Sequence, residues 1–93
     1  MKIKLQEEFL FELNDQINYI SKDKPVAARK FKADLLRNIN KNLRNPFHFK
    51  KSRYFNDESI RDYVFKGYVC VYEVDVDKKI VSVFGFIKHK NAL

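Results

Sequence analysis

The chain has no tryptophan, one cysteine, two glycines and two prolines in 93 residues. Each shortage excludes something. The lone Cys70 rules out an internal disulfide framework and any multi-cysteine zinc site, and a small domain without such staples fits a reducing cytosol. So little Gly and Pro excludes a linker-rich or disordered chain and leaves room for short turns only. The longest unbroken apolar run, Tyr68 to Tyr72, is far below the roughly 20 residues that cross a bilayer. The amino terminus, Met1-Lys2-Ile3-Lys4-Leu5, alternates charge with apolar residues and lacks the apolar region of a signal peptide. The expectation is a soluble, cytoplasmic protein without a membrane partner. There is no Gly-rich phosphate loop, carboxylate pair or metal-ligand cluster, so neither a cofactor nor a metal is expected.

What is present is a folding composition. Hydrophobic residues make up 45% and aromatics 15%, with nine Phe and five Tyr. Domains typically run to roughly 100 to 150 residues, so residues 1–93 are expected to form a single domain. The net charge of +7 is unevenly spread. Residues 24–53 hold ten basic side chains against one acid, Asp34, and residues 78–93 hold four against none. Residues 1–23 and 54–77 are mildly acidic. A partner responds to the local field, so this clustering marks candidate contact segments.

The spacing of apolar residues changes along the chain. Ile3 and Leu5 alternate with lysines, which predicts a short strand. From about Glu7, Leu10, Leu13, Ile17 and Ile20 step by three and four, which predicts a helix ending near Ser21 or Lys22, with Glu7 and Glu8 in its first turn. Pro25 suits a helix start, and Asp23 just upstream is placed to accept backbone donors. Ala28, Phe31, Leu35, Ile39 and Leu43 then predict a second helix that stops near Asn42 to Arg44, before Asn45-Pro46. After about Ser52 the chain reads as strands over Ser59 to Lys66, Tyr68 to Asp75 and Lys79 to Lys88, with turns at Lys66-Gly67 and Asp75 to Lys78. The middle run is apolar on both faces and should be a central strand. The result is an α+β fold in the order β-α-α-β-β-β, a helical hairpin packed on a small antiparallel sheet.

The residues carrying that order are Tyr19-Ile20, Asp23, Pro25-Val26-Ala27-Ala28, Phe31, Leu35 and Asn45-Pro46. They continue through Ile60-Arg61, Gly67-Tyr68, Val71-Tyr72-Glu73-Val74, Ile80-Val81-Ser82-Val83 and Lys88-His89-Lys90. As an ordered set they resemble the RelE/ParE superfamily of toxins from type II toxin-antitoxin systems. RelE-like members cut mRNA on the ribosome with lysines, arginines and a tyrosine near the carboxyl terminus. In their Tyr-Arg-x-x-Tyr pattern the arginine position falls on Val69 here. The later strand arginine falls at about His89, and no tyrosine follows it. ParE-like members instead poison DNA gyrase by binding. The resemblance therefore implies a ParE-like toxin, held in a hetero-oligomer by a cognate antitoxin, with a ribosome-dependent mRNA endonuclease as the alternative.

If the chain were a nuclease, Lys50, Lys51, Arg53, Arg61 and His89 are the candidate actors. Metal-free RNA cleavage needs a base, an acid and positive charge on the phosphate. Lys88 and Lys90 would depress the pKa of His89, as suits a base, although a solvated histidine is the plainer reading. His48, in Phe47-His48-Phe49, reads as packing or a surface hydrogen bond. The stretch Phe47 to Phe55 interleaves aromatic and basic residues, as nucleic-acid surfaces do and as lysine-guarded strand edges also do. For a protein partner, antitoxin or target, the candidate contacts are Arg29, Lys30, Lys32, Arg37, Arg53, Tyr54, Arg61, Lys88 and Lys90. Cys70, inside an apolar strand, reads as inert core.

Overall fold

The computed structural model describes residues 1–88. The expectations placed on His89 and Lys90 lie outside the described residues. The element order is β1 (Lys2–Leu5), α1 (Glu7–Ser21), α2 (Pro25–Asn42), a 3-10 turn over Pro46–His48, β2 (Ile60–Phe65), β3 (Tyr68–Asp75) and β4 (Ile80–Lys88). The strands form one sheet in the order β1-β4-β3-β2, with β3 inside it. The β2-β3-β4 meander is antiparallel, but β1 runs parallel to β4, with Ile3 opposite Val81 and Leu5 opposite Val83. The sheet is therefore mixed and not wholly antiparallel. The connection that a parallel neighbour requires runs from β1 through both helices, β2 and β3 before β4 returns beside it.

Both helices cover one face of the sheet. Phe9, Leu13 and Ile17 of α1, and Ala28, Leu35 and Ile39 of α2, join Cys70, Tyr72, Val74, Val81, Val83 and Phe86 in one buried cluster. Phe9 is fully buried, with its ring edge-on to Phe86 at 5.9 Å, although the expected apolar stripe began only at Leu10. Truncating it to Ala should cost about 3–5 kcal/mol. Phe31 of α2 lies 5.3 Å from the Tyr68 ring, which itself stacks on Phe86 at 4.9 Å. Asp23 does not cap α2. The capping position is Lys24, with no side-chain cap, and Pro25 opens the helix without a free amide to satisfy.

The turns follow backbone chemistry. Lys66 (φ 48°) and Gly67 (φ 84°) take the left-handed pair that a two-residue hairpin needs between β2 and β3. The β3–β4 turn is closed by the Lys78 amide, which donates to Asp75 Oδ1 at 3.0 Å, and by Lys79 at φ 56°. Along β3–β4 the register slips at Val71/Tyr72, where Val71 faces Gly85 and Tyr72 faces Val83, so Phe84 is the extra residue of a bulge. A Cβ on Gly85 would lie 3.2 Å from Val71 Cβ, so the smallest residue allows the two strands to close there.

Val69 and Val71 alternate with Cys70 and Tyr72 and so face away from the helices, yet each is only 1% exposed. The segment after the 3-10 turn does not run as strand from Ser52 onward. It doubles back along β2, with Phe55 reaching Phe84 at 5.5 Å between ring centroids. This fold-back positions the candidate site.

Candidate functional site

The site is built by anchoring a loop at its start. Pro46 is buried, and its carbonyl accepts the Tyr72 hydroxyl proton from inside the sheet. Asn42 Nδ2 donates to Tyr63 Oη at 2.8 Å, which fixes the end of α2 over β2. Phe49 then packs edge-on against Tyr63 at 5.1 Å, and His48 packs on Phe49 at 5.1 Å. His48 is thus an exposed packing residue, as the sequence had it.

Beyond Phe49 the chain lies antiparallel to β2. The Ser52 amide donates to the Ile60 carbonyl at 2.8 Å, and the Asp62 amide donates to the Lys50 carbonyl at 3.2 Å, bridging Lys51 to Arg61. Ser52 is buried, and its hydroxyl oxygen accepts from the Tyr54 amide at 3.1 Å. The Arg53 amide donates to Asp62 Oδ2 at 3.1 Å. At the far end Asp57 accepts from both the hydroxyl (2.7 Å) and the amide (2.9 Å) of Ser59. The Ser59 hydroxyl, followed by its amide, holds the Asp57 carboxyl below its usual range.

The fold-back encloses a groove of about 430 Å³ lined by Phe49, Lys50, Lys51, Arg53, Asp62, Val64 and Val69. Three of the five candidate nuclease residues therefore meet there. Lys51 Nζ also donates to Asn56 Oδ1 at 2.9 Å. Between these cations the groove presents Val64, Val69 and a carboxylate. Asp62 Oδ1 is buried with no hydrogen-bond partner among the described residues. Sequence reasoning passed over Asp62 and Val64 as site residues. The two-residue period places both on the face opposite Tyr63, but nothing in the pattern announces a loop returning over that face.

Arg61 points elsewhere. Its guanidinium donates to the carbonyls of Glu58 (2.9 Å) and Phe49 (3.0 Å), approaches the Glu58 carboxylate at 3.5 Å and stacks 4.9 Å over the Phe47 ring. Its ion partner is Glu58 and not the neighbouring Asp62. It clasps both ends of the loop, as a planar fork with several donors can.

The other cations are separate. On α2, Arg29 is exposed, Lys30 pairs with Asp34 at 3.2 Å, Arg37 pairs with the same carboxylate, and Lys32 donates to Asn14 Oδ1 of α1 at 2.7 Å. The Lys30 hydrogen bond, with Arg37 adding to it, lowers the Asp34 pKa against the opposing effect of burial. Lys88 stands exposed at the end of β4, beside a depression of about 340 Å³ with Phe11, Glu12 and Asp15 of α1.

The chemistry available in the groove is limited. The described residues place no histidine or tyrosine among its lining as base or acid. Burial drives the Tyr72 hydroxyl pKa well up, and the Cys70 thiol is pushed up to about 12 by the same cause. Neither supplies a nucleophile near neutrality. Among the described residues no cluster of His, Cys, Asp or Glu is suited to hold a metal ion, and no helix is long and apolar enough to cross a membrane.

No individually curated protein shows significant similarity to the chain. A family model described as the ParE toxin of type II toxin-antitoxin system, parDE, matches residues 3–93. That match takes in the hairpin, the meander and the groove alike. The chain belongs to the ParE toxin family of type II toxin-antitoxin systems, and its implied partner is an antitoxin.

Proposed function

We propose that residues 1–93 form one toxin domain that acts in the cytoplasm by binding DNA gyrase and is neutralised by its antitoxin. The observation that carries this reading is that Val69 and the Asp62 carboxylate, whose buried Oδ1 has no hydrogen-bond partner among the described residues, both line the cationic groove. A phosphate drawn in by Lys50 and Lys51 would meet a carboxylate there. Unit charges about 5 Å apart at an effective dielectric of about 20 repel by roughly 3 kcal/mol, which offsets much of what a lysine returns. Cleavage further needs an acid and a base aimed at one phosphate, and the lining offers no histidine or tyrosine for either role.

The clustering of Lys50, Lys51 and Arg53 favours a second reading, a ribosome-dependent endonuclease. It would draw on His89 from outside the described residues, because Arg61 is committed to the loop. One experiment separates the two. Purified protein is added to gyrase supercoiling and cleavage-complex assays, and to a translating extract with labelled mRNA, with His89→Ala alongside. Gyrase cleavage complexes with intact mRNA support the binding toxin. Cuts in the mRNA that vanish on His89→Ala overturn it.

A further inference from the structure

The carboxylate in the groove opposes a phosphate, but the outer face of α2 does not. At about 100° per residue, positions 29, 30, 33, 37, 40 and 41 fall within one sector of about 120°, on the side away from buried Ala28, Leu35 and Ile39. All six are exposed. Arg29, Lys30, Arg37 and Lys41 spread cations along about 18 Å of helix, and just past its end Arg44 Nε donates back to the Asn40 carbonyl at 3.1 Å. The only acid between Pro25 and Asn45 is Asp34, whose side chain is 14% exposed. It pairs with Lys30 and Arg37 and leaves Arg29, Lys41 and Arg44 unopposed by a carboxylate among the described residues.

The neutral residues between these cations decide what they suit. They are Ala33 and Asn40, so no ring or large aliphatic side chain lies on the face between Arg29 and Lys41. A protein interface places aromatic or aliphatic anchors at its centre and leaves most charges to its rim. A single-stranded nucleic acid needs rings on which its bases stack. The backbone of a duplex needs neither, and about 18 Å of duplex DNA carries about ten phosphates. Only Asn40 offers a neutral donor and acceptor of the kind that reads a ribose 2′-hydroxyl, so the face is built for charge and not for RNA.

We infer that the outer face of α2 binds the phosphate backbone of double-stranded DNA, without sequence preference. Arg29, Lys41 and Arg44 carry most of the contact, and Asp34 holds Lys30 and Arg37 on the same face beside them. The inference goes beyond the gyrase reading and holds whichever protein the toxin poisons.

The test uses the full chain freed of antitoxin and a labelled 24-base-pair DNA duplex of arbitrary sequence, read by fluorescence anisotropy over a range of salt concentrations. Arg29→Gln/Lys41→Gln/Arg44→Gln is compared with Lys2→Gln/Lys4→Gln/Lys78→Gln, which removes the same charge from exposed positions elsewhere, and both are checked by thermal melting. The parent should bind with Kd on the order of micromolar at low salt. The α2 variant should raise Kd about tenfold or more and flatten the slope of log Kd against log salt by about 0.9 for each cation removed, with the control within about threefold of the parent. Lys41→Gln alone, which breaks no bond among the described residues, should flatten it by about one. No binding at 50 mM salt would overturn the assignment, as would equal losses in the two triple variants. So would tighter binding of an RNA duplex of the same sequence, or of polyglutamate, the mark of an acidic protein partner. A negative gyrase assay alters none of these outcomes.

Discussion

The hydroxyl of Tyr72, at the buried centre of β3, donates to the backbone carbonyl of Pro46 and so ties the sheet to the turn that launches the groove loop. Tyr72→Phe keeps the ring and leaves that carbonyl without its donor. The expected loss is about 1–3 kcal/mol, read as a lower urea midpoint with unchanged slope. A loss under about 0.5 kcal/mol would show that water replaces the bond.

The same burial sets an alkaline limit. Folding raises the pKa of both Cys70, from 9.0 to about 12, and Tyr72, above its ordinary 10.0. The folded state therefore holds these protons after the unfolded chain has released them. That stability is complete below about pH 9 and is lost progressively as pH rises toward the folded values. The denaturation midpoint should fall between about pH 9 and about pH 11, and Cys70→Ala should flatten that fall. An equal decline in Cys70→Ala and in the parent would remove the thiol as its cause.

Arg61→Lys tests whether this arginine is a clasp. A lysine keeps the charge but cannot reach the carbonyls of Glu58 and Phe49 together or lie flat on Phe47. Stability should fall by about 1–2 kcal/mol. Amide exchange should rise across residues 47–59. A variant as stable as the parent but inactive on the target would place Arg61 in the binding surface instead.

The helices were legible because fifteen and eighteen residues repeat the 3.6-residue period enough times to fix a face. The meander was legible from its apolar runs and from Lys66-Gly67. The direction of β1 was not, because four alternating residues read alike in parallel and antiparallel pairs. The groove was half legible. The interleaved lysines and aromatics of residues 47–55 marked a surface, but the return over β2 rests on the Ser52, Asp62 and Tyr72 bonds, which join residues eight to twenty-six positions apart and leave no local pattern. The partners of Arg61 were not legible either, because the Phe49 carbonyl and the Phe47 ring reach it only through the returning loop.

Gly85 sits where the β4 bulge brings the strands together. Gly85→Ala places a methyl 3.2 Å from Val71 Cβ and should cost about 1 kcal/mol or more. Val71→Gly in the same chain removes both the Cβ and the Cγ2 that the new methyl meets at 3.2 and 3.4 Å, and should show a favourable coupling in a double-mutant cycle. Strict additivity would mean that the contact relaxes elsewhere.

The basic face of α2 gives a prediction about salt. Lys30 is partly neutralised by Asp34 and Lys32 holds Asn14 of α1, while Arg29 is exposed, so the three cations do not contribute alike. Reversing Arg29, Lys30 and Lys32 to Glu together should weaken antitoxin binding, chiefly by slowing association, and flatten its dependence on ionic strength. Lys32→Glu alone should also lower thermal stability slightly, because the α1–α2 bond is lost, so Arg29→Glu is the cleaner probe of the surface. Stopped-flow association at two salt concentrations distinguishes these effects. A triple reversal that leaves both the association rate and the salt slope unchanged would remove α2 from the antitoxin interface.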